Sequence, residues 1–272
     1  MQLQKIPLYL RSKLIIMVLD NIKAKKVVKT SYVRGKYPLL TQNNHKTLLG
    51  EKMGIKTLIL YLSPYKDNSK GKNLCPKASM GCSKACLFNS GNARFEHVQL
   101  GRRNKTEWFL EDRESFVSTI ITEITKAVKK YSADWVLSVR LNGTSDIVWE
   151  HIYYGGKNIF EHFPDVNFYD YTKISNRFKK VLPKNYHLTF SRSEENESEA
   201  LALLHKGFNI AWVFNKIPTE YKGFKVINGD ESDNRVGDEK GVIVGLKFKN
   251  LTGSGAGELN QYAKTSGFVT FI

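Results

Sequence analysis

Seven short apolar runs set the rhythm of this chain, and each ends in a polar signature. They cover Thr57–Leu62, Trp135–Leu141, Val166–Tyr171, His187–Phe190, Asn209–Phe214, Lys225–Ile227 and Gly241–Phe248. Their interiors, such as Val-Leu-Ser-Val and Val-Ile-Val-Gly-Leu, are mostly continuous in apolar residues. Continuity of that kind suits parallel strands buried on both faces. Between the first two runs the period changes. Phe116, Ile120, Ile124 and Val128 recur every fourth residue, with Glu123 and Lys126 off that stripe, which predicts a helix over about 112–131. A second helix, roughly 195–206, opens among Glu194, Glu195 and Glu197 and stops at Lys206-Gly207. Acids at its start suit the helix dipole, and the glycine suits a C-terminal cap.

The polar signatures read Arg140-Leu-Asn-Gly-Thr-Ser-Asp146, Tyr169-Asp-Tyr-Thr-Lys173, Ser191-Arg-Ser-Glu194, Asn215-Lys216, Asn228-Gly-Asp-Glu-Ser-Asp233 and Lys247. In a β/α barrel or an open parallel sheet, polar groups at strand carboxyl ends converge on one site. The expected fold is therefore α/β and barrel-like, a complete or incomplete (β/α) barrel of mostly parallel strands. The crossover after Gly229 is too short for a normal helix, which favours an incomplete or irregular barrel. Residues 51–272 are expected to form this single domain, behind a basic N-terminal extension over 1–50 with an amphipathic helix around Leu8–Val28. Gly253-Ser-Gly-Ala-Gly257 reads as a flexible break before the last apolar segment, Gly267–Ile272.

Within the signatures, Arg140, Lys173, Arg192, Lys216 and Lys247 would give a shared mouth an anionic preference, most naturally for phosphate. Asp146, Asp170, Glu194, Asp230 and Asp233 would suit Mg²⁺ if they converge. Asn142, Gly143 and Ser191 stand at the same strand ends as candidate cofactor contacts. Taken one at a time, these acids and glycines also fit ordinary cap and turn chemistry. No Walker A or Gly-x-Gly-x-x-Gly pattern is present.

The three cysteines, Cys75, Cys82 and Cys86, all fall in one polar loop, 63–92, directly after the first strand. An odd count does not suit structural disulfides, and three thiols within twelve residues suit ligands around one metal. The C-x6-C-x3-C loop follows the first strand of a barrel-like pattern, as the four-iron cluster loop of radical S-adenosylmethionine enzymes does. With His97 the same cysteines would instead make a Cys3His zinc site. Both metals remain open. His45, His151, His162, His187 and His205 form no His-x-His pair of the kind rolling-circle nickases use.

The formal charge is +16. Residues 1–56 carry twelve Lys and Arg against Asp20 and Glu51, and residues 63–105 carry nine against Asp67 and Glu96. Clustered cations attract polyanions, nucleic acid above all, although a lysine-rich composition with solvated side chains reads the same way. No stretch approaches the roughly 18 apolar residues of a membrane span, and the expected setting is cytoplasmic, where thiols stay reduced and available to metal.

Seven motifs in fixed order carry a resemblance. They are Leu-Ser-Pro…Cys-Pro…Gly-Cys…Ala-Cys, Arg-Leu-Asn-Gly-Thr-Ser-Asp, Phe-Tyr-Asp-Tyr-Thr-Lys, Phe-Ser-Arg-Ser-Glu, Val-Phe-Asn-Lys, Asn-Gly-Asp-Glu-Ser-Asp-x-Arg and Val-Gly-Leu-Lys. Over about 40–272 the chain resembles the bacteriophage "gene product eighty-eight" family. Relatives are often labelled rolling-circle replication initiation proteins, so the resemblance implies a phage protein in a replication setting. Two expectations follow: a metal-dependent enzyme of nucleic-acid metabolism with a phosphate-bearing substrate, or a DNA-binding replication protein with a structural zinc loop.

Overall fold

The computed structural model of the protein describes residues 34–42, 45–86, 91–251 and 256–272. Chain contacts divide at Lys36, and the unit Tyr37–Ile272 is the one described below. The helix expected over Leu8–Val28 and most of the Gly253–Gly257 break lie outside the described residues.

All seven apolar runs form strands. They are β2 (Ile55–Leu60), β3 (Val136–Arg140), β6 (Asn167–Thr172), β7 (Tyr186–Ser191), β8 (Ile210–Phe214), β10 (Phe224–Asn228) and β11 (Ile243–Lys247). Two short strands, β1 (Leu40–Thr41) and β9 (Glu220–Tyr221), complete a sheet of nine in the order β1-β2-β3-β6-β7-β8-β11-β10-β9. The seven long strands are parallel to their neighbours, and only β1 and β9 run antiparallel. A separate hairpin joins β4 (Tyr153–Tyr154) to β5 (Lys157–Asn158).

The sheet is open, so the barrel expectation is corrected. The topology gives the reason. β11 inserts beside β8 and leaves β10 outside it, and the free side of β10 is taken by β9. At the other end β1 occupies the free side of β2. The sheet therefore ends in these two short antiparallel strands, which do not pair with each other. The sheet also begins before residue 51, because β1 and helix α1 (His45–Glu51) belong to it or pack on β2.

From β2 to β8 the strands advance in one direction, so right-handed crossovers place their helices on one face. Leu58, Leu60, Leu137, Val139 and Phe168 pack there against α3 (Glu96–Glu111) and α4 (Arg113–Tyr131), through Trp108, Phe109, Phe116, Ile120 and Ile124. Farther along, Phe190, Ile210, Trp212 and Ile243 meet Ala200, Leu203 and Leu204 of α6 (Glu197–His205). Among the described residues, α2 (Met80–Lys84), α5 (Ile159–His162) and α7 (Ala256–Thr265) are the remaining α-helices. Helix α4 starts where Asp112 accepts the Ser115 N–H at 3.2 Å and ends in Lys129 and Lys130, which face its negative pole.

Alternate strand positions point to the opposite face. There Ile59, Ser138, Arg140, Tyr169 and Thr189 are also buried. A parallel pair needs the chain carried back from one end of the strand to the other. Between β10 and β11 this is done by residues 229–242, which contain no helix, as the short spacing after Gly229 predicts. Asp233 of this strap reaches Arg140 and Tyr169, while Glu239 bonds Asn209 and Lys225 near the strand starts. The strap thus runs along the face that the helices leave bare.

Candidate functional site

The cysteine loop leaves β2 through Leu62 and is fastened to the strand ends by three contacts. The Asp146 N–H donates to Leu74 O at 2.8 Å, and the Cys75 thiol reaches Thr144 O at 3.7 Å. The third contact is made by Glu194, beyond β7. Ser79 caps α2 by accepting the Cys82 N–H at 3.1 Å, and its hydroxyl donates to Glu194 Oε2 at 2.8 Å. Glu194 Oε1 also accepts the Gly81 N–H, at 2.6 Å. A Cβ at position 81 would stand 2.6 Å from that carboxylate and would push it aside, so the missing side chain lets Glu194 approach.

The three cysteines are half-buried thiols. Burial, helped by Cys86, Cys82 and Asp146 and opposed by the Tyr65 N–H, pushes the Cys75 thiol up to about 12. The thiols therefore share one field. Among the described residues, no three Cys, His, Asp or Glu side chains are assembled at metal-binding spacing. His97 is exposed on the first turn of α3 and stacks on Phe95, ring centres 5.9 Å apart. Arg102 lies within the electrostatic reach of Cys86, and its guanidinium sits 4.8 Å above the Tyr61 ring.

The strand-end residues form two networks, one on each face. On the helix side, Asp170 is fully buried and accepts the Asn142 N–H at 2.7 Å and the Tyr186 hydroxyl at 2.9 Å. Burial pushes its carboxyl up to about 7. Arg177 donates to Tyr186 at 2.8 Å, grips Glu150 through two bonds, and stands 3.5 Å from Asp146. Burial also raises the Asp146 carboxyl, which accepts the Lys173 N–H at 2.8 Å. Asn142 Oδ1 accepts from Ser145, Ile147 and Trp149 and so folds the loop 142–149. Gly143 lies so close to β2 that a Cβ would meet Tyr61, Leu60 and Ile59 below 3 Å.

On the strap side, Arg140 Nη1 donates to both oxygens of Asp233, at 2.8 and 3.0 Å. Tyr169 donates to the same carboxylate at 3.2 Å. The Arg140 guanidinium also lies 4.8 Å over the Tyr171 ring. Lys173 Nζ donates to Ser191 Oγ at 2.6 Å. Arg192 serves the architecture by holding Gly267 O and Glu197 and lying 4.7 Å over the Trp212 ring. Asp230 accepts the Lys247 N–H at 3.1 Å and sits 3.6 Å from Lys249, while Lys216 is exposed.

The Gene product 88 family model matches residues 38–270, which takes in the cysteine loop and both networks. The chain belongs to this bacteriophage family. No curated protein and no solved structure matches it.

In this Gene product 88 chain each expected acid is tied to a fixed partner. Asp146, Asp170, Glu194, Asp230 and Asp233 take different partners and form no shared carboxylate cluster among the described residues. Sequence reading passed over Glu150, Arg177, Tyr186, Arg235 and Asp238. The one available signal was Arg235, which closes the family motif Asn-Gly-Asp-Glu-Ser-Asp-x-Arg. No described helix is long and apolar enough to cross a membrane.

Proposed function

We propose that this Gene product 88 chain is a metal-dependent enzyme of phage nucleic-acid metabolism. Its centre would be held by Cys75, Cys82 and Cys86, with a phosphate-bearing substrate at the carboxyl ends of the parallel strands. The observation that carries this reading is the fastening of the cysteine loop to those ends, through Leu74 to Asp146 and through Gly81 to Glu194. A loop needed only as a connection has no reason to bring three thiols into one field. A bound cation offsets the mutual repulsion of thiolates and deprotonates a coordinating thiol outright.

The donor set suits iron or zinc, and the loop's place after the first parallel strand favours an iron–sulfur cluster. Such a cluster would supply one-electron chemistry, with S-adenosylmethionine as the natural partner to test. The chain's own part is to position the loop through Glu194 and Ser79 and to hold the mouth rigid through Asp170, Arg177 and Asn142. Protein purified without oxygen should be brown and contain iron and sulfide, and Cys82→Ala should lose both. Colourless protein with one equivalent of zinc would reject the cluster, and wild-type protein with no bound metal would reject the reading.

A DNA-binding role with a zinc clip is favoured by one observation. Around the loop, partly exposed aromatic rings sit beside cations, as in Tyr65 with Lys66 and Phe95 with Arg94. Rings and charges interleaved in this way suit stacked bases and phosphates. DNA affinity that falls steeply with salt and survives replacement of Asp146 and Asp230 would support that role. Affinity unchanged by salt, or none, would reject it.

A further inference from the structure

The strap face carries a pair of arginines that the metal does not need. Arg235 is only 6% exposed. Its Nη2 donates to Ser232 O. Its Nη1 lies 3.1 Å from Asp238 Oδ2 but without the alignment of a hydrogen bond. Nη1 is therefore buried without a hydrogen bond, and Nε likewise. Arg140, at 7% exposure, repeats the pattern: Nη1 serves Asp233 and Nε is buried without one.

Leaving a buried donor unsatisfied costs the desolvation of that group, and the cost is larger for a charged one. Native proteins rarely keep such groups, so two guanidinium groups with spare donors on one face call for an explanation. The elements around them supply it. Arg140 lies over the Tyr171 ring, and the charge of Arg235 acts on the same phenol. Tyr171 is partly exposed, and its hydroxyl bonds no described residue. Burial holds this phenol up at about 12, so it remains a donor at neutral pH. Asp233 and Asp238 face these cations, and burial raises the Asp238 carboxyl.

We propose that Arg140, Arg235 and Tyr171 form a seat for the phosphate of the ligand, on the strap side of the sheet. Guanidinium forks match phosphate oxygens in planar, paired contacts. Donors on three separate side chains suit the tetrahedrally arranged oxygens of phosphate better than the single plane of a carboxylate, which favours phosphate. The proposal rests on the phosphate-bearing substrate of the reading above and is independent of its metal.

The test is binding of inorganic phosphate to the full chain by calorimetry, with acetate as the carboxylate probe at matched ionic strength. Phosphate is expected to bind wild-type protein, at least tenfold more weakly to Arg235→Gln, and at least threefold more weakly to Tyr171→Phe. It should bind whether or not the preparation carries metal, so a failed metal assay leaves this result readable. Should Arg235→Gln not fold, Tyr171→Phe carries the comparison, because that hydroxyl holds no described partner. Wild-type protein that binds no phosphate, variants that bind it equally well, or acetate bound more tightly than phosphate would each overturn the proposal.

Discussion

Glu194 Oε1 accepts the Gly81 N–H at 2.6 Å, joining the end of β7 to the cysteine helix across 113 residues of sequence. With Ser79 on its other oxygen, one carboxylate sets the position of the loop against the sheet. Glu194→Ala removes both acceptors and should destabilise the protein by about 1–3 kcal/mol. The metal retained after gel filtration should fall in parallel. Glu194→Gln keeps an acceptor and should lie between. Urea titration with metal analysis reads both quantities, and full metal retention in the alanine variant would separate the loop from the sheet.

With its thiol up at about 12, Cys75 should be the slowest of the three to alkylate in metal-free protein. At pH 8 its thiolate is roughly one part in ten thousand, and the thiolate is the reactive species. Iodoacetamide labelling resolved by mass spectrometry gives the order directly. Labelling of Cys75 as fast as Cys82 would contradict its burial.

Asp170 has a carboxyl pushed up to about 7 in the folded protein, from an ordinary value of 3.8. The folded state therefore holds a proton that the unfolded state has released, and stability falls as pH rises from about 4 to about 7. Asp170→Asn should flatten that slope, while costing about 1–3 kcal/mol at low pH through its disturbed contacts with Asn142 and Tyr186. Melting curves from pH 4 to 8 check this. An unchanged slope in the variant would place the titration elsewhere.

Gly143→Ala inserts a Cβ within 3 Å of Tyr61, Leu60 and Ile59. Backbone and strand side chains cannot both yield, so overpacking should cost about 1–3 kcal/mol. The loss is read from the denaturation midpoint. A neutral result would mean that the turn after β3 is free to move away from β2.

The parallel strands were legible because burial on both faces writes a continuous apolar run, as in Val136–Arg140 and Ile243–Lys247. Helix α4 was legible because Phe116, Ile120 and Ile124 mark one stripe. Helix α3 was not, because its inward positions include Thr106, which accepts the Ser63 N–H, and Lys105, which donates to Leu39 O. A helix that buries polar groups against loops leaves no apolar period. The open sheet was hidden for another reason: nothing local tells that β11 inserts between β8 and β10. The strand-end acids could be found but not paired. Asp233 meets Arg140 across 93 residues, and Asp170 meets Asn142 across 28, distances that no motif spacing records.

The brace on the cysteine helix has a consequence for timing. Lys84 of α2 lies 4.0 Å over the Tyr262 ring of α7, and Arg192 is held by Gly267 O. A chain growing from its amino end completes Cys86 long before Tyr262 or Gly267 exists. The thiols therefore pass through synthesis unbraced and open to any metal or oxidant in the cell. Glu194 first and α7 last bring that period of exposure to an end.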